Sequence, residues 1–315
     1  MSDRKIIAVA GATGAQGGGL VRAILADPDG GFAARALTRD PTSEKARALA
    51  DLGAEVVAAD LDDEESVRAA YEGAYGAYCV TFFWAHFSPD TELAQATAMA
   101  RAAKETNIQH AIWSTLEDTR KWVPLDDDRM PTLMGKYKVP HFDSKGDADA
   151  VWAELDVPTT WLLTSFYWDN LIFFGSGPQP GPDGNLLFTL PMADKKLPGI
   201  AAEDIGKSAY GIFKRPDLIG QRVGIAGEHL TGEQMAASLT RALGREVLHN
   251  AVTPEAYRGF GFPGAEDLGN MFQFKADFES YYTGARDLDF SRSLNPALQT
   301  FDEWLAENAD RIPLE

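Results

Sequence analysis

Residues 11–17, Gly11-Ala12-Thr13-Gly14-Ala15-Gln16-Gly17, decide the fold of this 315-residue chain. The five residues before them, 6–10, are apolar and partly β-branched, which is typical of a buried parallel strand. After them, apolar side chains recur at helical spacing over residues 20–25. The stretch is therefore predicted to be a glycine-rich turn that joins a strand to a helix.

The spacing of the glycines suits a phosphate group. Backbone N–H groups at the start of a helix can approach a pyrophosphate only where no Cβ intervenes. Gly11, Gly14 and Gly17 give a GxxGxxG pattern, wider than the GxGxxG of most dehydrogenases and typical of short-chain dehydrogenase/reductases. A plain tight connection would also be rich in glycine, but the flanking strand and helix favour dinucleotide binding.

Composition narrows the range of partners and compartments. The chain has 47 acidic and 29 basic residues, a net charge of −18, so nucleic acids and anionic membranes would repel it and neither is expected as a partner. Cys79 is the single cysteine, and the N-terminus shows no export signal, so a cytoplasmic location is expected. The triple aspartate at 126–128 has no other ligands nearby, and no metal site is expected.

Strands and helices alternate along the first half of the chain. Predicted strands at 6–10, 32–38, 54–58, 110–114 and 159–163, and another that ends at Thr81, are separated by helices. This alternation predicts an α/β fold, a Rossmann doubly wound parallel sheet, followed by a smaller C-terminal α+β lobe with helices at 203–213, 231–243 and 301–309. We expect a dinucleotide-binding domain over 1–160 and a substrate or partner lobe over 161–315, with some segments of the lobe returning to the Rossmann core.

Ligands of such sheets bind beyond the carboxyl ends of the strands, where several polar residues stand. After the second strand, Arg39 could bind the 2′-phosphate of NADP, or Asp40 the ribose 2′-hydroxyl of NAD; the fork of the arginine favours NADP and leaves NAD possible. After the third, Asp60 could accept from the adenine amino group or cap the helix that begins near Asp62.

The fourth and fifth strands end in further candidates. Thr-Phe-Phe-Trp at 81–84 could line the cofactor and a substrate cleft, although aromatic residues in such places are often core. Ser114 stands where a short-chain dehydrogenase keeps its catalytic serine. The irregular stretch 117–139 that follows could form a lid over the cleft.

Five short stretches, spread over most of the chain, match the sequence of one protein family. They are GATGAQGG at 11–18, TRDP at 38–41, GAEVV at 53–57, HFDSKG at 141–146 and GFPGAEDL at 261–268. In these stretches the chain resembles the NmrA-like proteins, which are atypical short-chain dehydrogenase/reductases, and within them the NADPH-sensing HSCARG type. The resemblance implies a set of dinucleotide-binding residues: Gly11, Ala12, Thr13, Gly14, Ala15, Gln16, Arg39, Asp60, Leu61, Thr81, Phe82, Phe83, Lys145, Tyr167, Trp168, Asp169 and Asn170.

The usual catalytic tyrosine of a short-chain dehydrogenase is missing. That tyrosine supplies a proton while a lysine four residues on lowers its pKa, and the spacing places both on one helix face. Here Lys145 is present and His141 occupies the tyrosine position. An imidazole could supply the proton, or His141 could serve only to orient the cofactor. The candidate catalytic residues are His141, Lys145 and Ser114.

Two functions follow, and the resemblance favours the first. In the first, the protein binds NADP(H) as a redox sensor without short-chain dehydrogenase catalysis and signals to a regulatory protein or a second copy of itself. In the second, it is an NADPH-dependent oxidoreductase that reduces a quinone, enone or carbonyl compound. The density of aromatic residues after the fourth and sixth strands supports a small aromatic or quinone ligand.

Overall fold

The apolar strands of the N-terminal half assemble into one seven-stranded sheet. The computed structural model describes residues 4–314. The strands of the sheet are β1 (Lys5–Val9), β2 (Phe32–Thr38), β3 (Glu55–Ala58), β4 (Gly76–Cys79), β5 (His110–Thr115), β6 (Thr159–Leu163) and β11 (Arg222–Gly224). All pairings in this sheet are parallel, in the order β11-β6-β5-β4-β1-β2-β3. The predicted Rossmann-type α/β fold is confirmed.

Helices cover both faces of the sheet, because its strands are apolar on both sides. These helices are α1 (Ala15–Leu25), α2 (Glu44–Asp51), α3 (Glu64–Tyr71), α4 (Pro89–Glu105), α5 (Pro140–Glu154), α7 (Ala202–Phe213) and α12 (Leu288–Leu294). One face of the sheet carries α1, α2, α7 and α12, and the other carries α3, α4 and α5. Two of these helices and the edge strand β11 come from beyond residue 200, so the second half of the chain completes the first.

The packing of α1 on α7 is unusually close. A Cβ on Gly206 would lie 2.1 Å from the backbone nitrogen of Leu20, and one on Gly19 would lie 2.6 Å from the carbonyl oxygen of Glu203. The two helices therefore touch backbone to backbone. The guanidinium of Arg22 also donates to the carboxylate of Glu203. The helix that begins at the glycine turn is fixed by residues from the C-terminal half.

The smaller lobe combines two three-stranded sheets with short helices around its own core. Its strands are β7 (Phe166–Tyr167), β8 (Gln179–Pro180), β9 (Leu186–Thr189), β10 (Lys196–Ile200), β12 (Glu228–Thr231) and β13 (Val247–Asn250). Its helices are α6 (Asn170–Phe173), α8 (Gly232–Leu243), α9 (Pro254–Arg258), α10 (Ala265–Asp277), α11 (Glu279–Gly284) and α13 (Phe301–Asn308). No helix within residues 4–314 combines the length and apolar character needed to cross a bilayer.

The stretch between β5 and α5, which could form a lid, is anchored to the core at several points. Val123 and Met130 are fully buried in the core of the C-terminal lobe. The buried carboxylate of Asp143 on α5 accepts backbone hydrogen bonds from both ends of the stretch, from Thr119 at 2.8 Å and from Lys138 at 2.8 Å. The buried apolar side chains and the hydrogen bonds to Asp143 fix this stretch to the rest of the protein.

Candidate active site at the glycine turn and the start of helix α5

The glycine turn presents free backbone N–H groups at the start of α1. Gly11 has a φ of +62°, and a Cβ on Gly17 would lie 2.5 Å from the carbonyl oxygen of Gly11. Gly14, the N-cap of α1, has no side chain to bind the first N–H groups of the helix. Ala12 and Thr13 form the part of the turn between Gly11 and Gly14. The geometry fits a phosphate, because the donors are free and no side chain blocks their approach.

Gln16 links this turn to three strands. Its side-chain oxygen accepts hydrogen bonds from Ser114 Oγ at 2.8 Å and from the hydroxyl of Tyr78, and its nitrogen donates to the hydroxyl of Tyr167. Burial raises the pKa of Tyr167 to about 12 and raises that of Tyr78 well above its usual value. Both phenols keep their protons at neutral pH. Ser114 is thus held against the turn as a donor to Gln16.

At the end of β2, Arg39 and Asp40 are in different situations. Arg39 is exposed, and its guanidinium has no hydrogen-bond or ion-pair partner within residues 4–314. Asp40 Oδ1 accepts hydrogen bonds from the backbone N–H and the hydroxyl of Thr42, and these bonds lower the pKa of its carboxyl. Arg39 is therefore free to bind a ligand, whereas Asp40 is engaged in the turn before α2.

Asp60 lies after β3 and is not the cap of the following helix. Asp63 is the N-cap of α3, accepting from the backbone N–H groups of Glu65 and Ser66, so the cap interpretation of Asp60 is wrong. Asp60 Oδ1 accepts from the backbone of Asp62 at 3.1 Å, and Asp60 is exposed. Leu61 packs partly against the core of the α3–α4 face.

Lys145 is held in a buried network that the sequence did not reveal. Its Nζ lies 2.6 Å from Thr81 Oγ1, 2.8 Å from Glu92 Oε1 and 3.5 Å from the carbonyl oxygen of Ser114. Glu92 is fully buried, accepts a hydrogen bond from Thr81 as well, and has His86 Nε2 at 3.4 Å from its other oxygen. The ammonium charge of Lys145 is compensated within the protein.

His141 lies one turn before Lys145 on α5, and a carboxylate fixes its ring. Nδ1 is 2.7 Å from Asp267 Oδ1, and the backbone N–H of His141 donates to the other oxygen of Asp267 at 3.1 Å. Since the carboxylate accepts the Nδ1 proton, Nε2 is left to exchange a proton. Nε2 has no partner within residues 4–314 and is not among their fully buried unpartnered atoms, so it reaches open space.

Aromatic rings surround this imidazole. Trp84 lies 4.7 Å and Phe83 6.0 Å from the His141 ring, measured between centroids. Both rings belong to the 3-10 helix at Phe83–Ala85, directly after β4. A carboxylate-oriented imidazole with apolar neighbours can give a proton to, or take one from, a planar apolar molecule that lies against them.

The other residues expected to bind the dinucleotide differ in their surroundings. Trp168 is buried in the C-terminal lobe with its ring 5.3 Å from Phe301. Asp169 Oδ2 accepts from the backbone N–H of Ala202 at 2.8 Å, at the start of α7, and Asn170 begins α6. Phe82 is 54% exposed. Of the four residues 167–170, only Tyr167 makes a side-chain hydrogen bond to the glycine turn within the described part of the chain.

Sequence reasoning missed Glu92 and Asp267, the carboxylates that hold the two α5 side chains. Glu92 lies on the buried face of α4, four residues before Ala96 and seven before Met99, and this spacing among alanines was a readable signal. Asp267 lies inside the 261–268 stretch, but its pairing with His141 joins residues 126 apart. No local pattern reveals a contact of that range.

Comparison with known proteins places the chain in one group. The sequence profile of the NmrA-like family matches residues 3–305. The NmrA-like family domain-containing oxidoreductase FrzB of Cladobotryum sp is 30% identical over 85% of this chain and 83% of its own, and the oxidoreductase notA of Aspergillus sp. (strain MF297-2) is 31% identical over 86% and 83%.

Solved structures agree. NmrA, described as a negative transcriptional regulator and solved in complex with NADP, is 25% identical with a TM-score of 0.78, over 97% of this chain and 95% of that one. The same regulator has been solved with NAD. Profile, sequence relatives and structure agree over nearly the whole length of the chain, which therefore belongs to the NmrA-like family.

Proposed function

We propose that this protein is an NAD(P)H-dependent reductase that acts on a small planar apolar compound with a reducible quinone, enone or carbonyl group. The observation that carries the proposal is the contact of His141 Nδ1 with Asp267, which leaves Nε2 open beside two aromatic rings. The relatives compared above, named as oxidoreductases, support the same reaction class.

The cofactor we propose is NADP(H), with NAD as a weaker ligand. The free N–H groups at the start of α1 would hold the pyrophosphate. Arg39 has no partner in the described chain and would bind the 2′-phosphate, whereas Asp40 is engaged with Thr42. The bound NADP and NAD of the related regulator support a nicotinamide dinucleotide in this position.

The protein's own residues would manage the proton. A bound nicotinamide would supply the hydride to a carbon of the substrate. His141, when protonated, would donate its Nε2 proton to the oxygen that gains negative charge, and Asp267 would stabilise the imidazolium and fix its orientation. Lys145 would hold Thr81 and the end of β4 in place through its network, because its donors already have partners.

The test is NADPH oxidation by the purified protein against a panel of quinones, enones and aldehydes, with NADPH affinity measured in parallel. We expect turnover that falls about 100-fold in His141→Ala and about 10-fold in Asp267→Asn, with NADPH affinity nearly unchanged, in line with the usual contribution of a general acid. His249→Ala is the matched control, because His249 lies in β13 of the C-terminal lobe. Turnover that is unchanged in His141→Ala would refute the assignment.

A second candidate function, a redox sensor, is favoured by the bond from Gln16 to Tyr167. Gln16 belongs to the turn that would bind the cofactor, and Tyr167 belongs to β7, which pairs with β10 in the C-terminal lobe. Cofactor occupancy could thereby change the lobe surface that a regulatory protein or a second copy contacts. The relationship to a negative transcriptional regulator supports this alternative.

Hydrogen exchange measured with and without NADPH tests the sensor. We expect protection of β7 and β10 on binding, and loss of that protection in Gln16→Ala at saturating NADPH. Tight NADPH binding, protection of the lobe and no turnover on any compound of the panel would favour the sensor over the reductase. Exchange in the lobe that does not respond to NADPH would exclude the coupling.

We propose a cytoplasmic location for either function. The thiol of Cys79, the only cysteine in the chain, is buried, and burial raises its pKa to about 12. The protein therefore has no pair of cysteines to gain a disulfide in an oxidising compartment. Localisation of a tagged full-length chain in cells would test the assignment.

A further inference from the structure

Lys275, on α10 of the C-terminal lobe, is a buried cation without a counter-charge. Only 3% of the residue is exposed. Its Nζ lies 5.5 Å from the ring centroid of Phe142, 5.7 Å from that of Phe272 and 5.3 Å from that of Tyr282. It has no hydrogen-bond or ion-pair partner within residues 4–314. Burying an ammonium group without a partner costs free energy. The side chain therefore either loses its proton or pairs with an anion that binds from outside the chain.

The carboxylate of Glu117, which lies near Lys275, is already paired with Arg286. Glu117 Oε1 lies 2.7 Å from Nη1 of Arg286, and Oε2 lies 3.1 Å from Nη2, both residues being almost fully buried. Arg286 Nε also donates to the carbonyl oxygen of Thr164 at 2.9 Å. Burial, together with Arg286, lowers the pKa of Lys275 to about 7, although Glu117 opposes the shift. When Lys275 is protonated, the cluster holds two cations and one anion.

The cluster of Lys275, Glu117 and Arg286 lies at the edge of the parallel sheet where ligands usually bind. Glu117 follows β5 and Thr164 follows β6, so the cluster lies beyond the carboxyl ends of both strands. Phe142, which contacts Lys275, is the neighbour of His141 in α5, with ring centroids 4.8 Å apart. Phe142 therefore lies beside both Lys275 and the candidate proton donor.

Two polar atoms at this point have no partner in the described chain. The hydroxyl of Tyr282 is fully buried and makes no hydrogen bond. Lys275 Nζ also makes none, yet it is not among the fully buried unpartnered atoms, so it borders open space. Both groups can donate a hydrogen bond, and Lys275 Nζ lies near three aromatic rings. A ligand with a flat ring and two acceptor oxygens matches these features.

We propose that Lys275 and Tyr282 form an anion-binding subsite, and that the substrate is an aromatic compound bearing a carboxylate. The ammonium of Lys275 would pair with the carboxylate, the Tyr282 hydroxyl would donate to it, and the rings of Phe142 and Phe272 would contact the aromatic part. That this anion is a substrate rests on the reductase function proposed above. Binding of the anion to the subsite does not require turnover.

Calorimetry with cinnamate and its neutral analogue cinnamamide tests the subsite, with and without NADP. We expect the wild type to bind cinnamate about tenfold more tightly or better, the range expected when a charge pair forms in a buried site. At pH 8, where the free Lys275 is largely neutral, cinnamate should bind with uptake of about one proton, seen as a dependence of the heat on the buffer. Cinnamamide should bind without it.

Lys275→Met is the test variant, and Lys121→Met, at an exposed lysine, is its control. Lys275→Met should lose both the preference for cinnamate and the proton uptake, Tyr282→Phe should lose part of the preference, and Lys121→Met should keep both. Equal binding of the two probes by the wild type, or a preference that survives in Lys275→Met, would overturn the subsite. Cinnamate preference without any NADPH oxidation would leave the subsite standing and refute the reductase.

Discussion

The carboxylate of Glu92 lies 2.8 Å from the ammonium of Lys145, with none of the Glu92 side chain and a tenth of the Lys145 side chain exposed. Such a pair is costly to break on one side, because the remaining charge stays buried without a partner. We expect Glu92→Gln to lower the free energy of unfolding by about 3–5 kcal/mol.

A double-mutant cycle measured by urea denaturation checks this prediction. The combined change of Glu92→Leu with Lys145→Met should cost less than the sum of the two single changes, since both charges leave together. Asp302→Asn breaks the exposed pair with Arg241 and should cost less than about 1 kcal/mol. Additive effects of the two buried changes would show that the residues do not stabilise each other.

The close packing around Gly17 in the glycine turn gives a prediction about cofactor affinity. Gly17→Ala places a Cβ against the backbone carbonyl of Gly11, which cannot move without opening the turn. We expect this variant to bind NADPH at least about tenfold more weakly, a loss of about 1.4 kcal/mol. Fluorescence titration with NADPH measures the change.

Gly18→Ala is the matched control, because its Cβ would lie 3.1 Å from the Arg22 guanidinium and 3.3 Å from the carbonyl oxygen of Ala12, clearly farther than the 2.5 Å contact at Gly17. It should keep its affinity within about threefold, a change below 1 kcal/mol. If the two alanine variants bind NADPH equally well, the close approach at Gly17 does not form the cofactor site.

The choice between NADP and NAD depends on Arg39. We expect Arg39→Ala to weaken NADP binding by about 1.5–3 kcal/mol, the range for a hydrogen bond to a charged group, and to leave NAD binding nearly unchanged. Arg245, also exposed and without a partner in the described chain, is the control site and should respond to neither cofactor. Equal losses for both cofactors in Arg39→Ala would refute a role in binding the 2′-phosphate.

His110 predicts an acid-dependent loss of stability. The side chain is fully buried on β5, with Nε2 2.9 Å from Thr160 Oγ1, and burial lowers its pKa to about 4. The unfolded chain binds a proton at about pH 6.5 and the folded chain does not, so stability is complete above that pH and falls as the pH drops toward 4.

The contribution of this one group over that window is about 3 kcal/mol, from about 1.4 kcal/mol for each pH unit. Urea denaturation of the wild type and of His110→Gln at several pH values isolates it from the carboxyl groups, which titrate in both proteins. The difference in unfolding free energy between them should change with pH between 6.5 and 4. A constant difference would contradict the assignment.

The local part of the fold was readable from the sequence, and the contacts between distant residues were not. The runs at 32–38 and 159–163 are strands with the predicted bounds, and Thr231 caps α8, which ends before Gly244 in the left-handed conformation, as predicted. Strand pattern, capping box and glycine stop are all encoded within a few neighbouring residues.

Helices α9–α12 were missed. Three of them, α9, α11 and α12, span only five to seven residues, too few to show a helical period. The site was predicted in its parts, namely the glycine turn, Arg39, Ser114, His141 and Lys145. The carboxylates that pair with the last two were not, since those pairs form only after folding brings separate elements together. Lys275 could not have been found either, because a lysine beside an aspartate two residues on is typical of an exposed face.

The dependence of α1 on α7 has a consequence for the order of events on the ribosome. The glycine turn and five of the seven strands are synthesised within the first 115 residues, but α7 and β11 follow only after residue 200. Until then the α7-facing side of α1 and the outer edge of β6 have no cover. A growing chain therefore contains the glycine turn of a nucleotide site well before the helix that packs on it is made. We expect a dinucleotide to stabilise the protein only late in its synthesis.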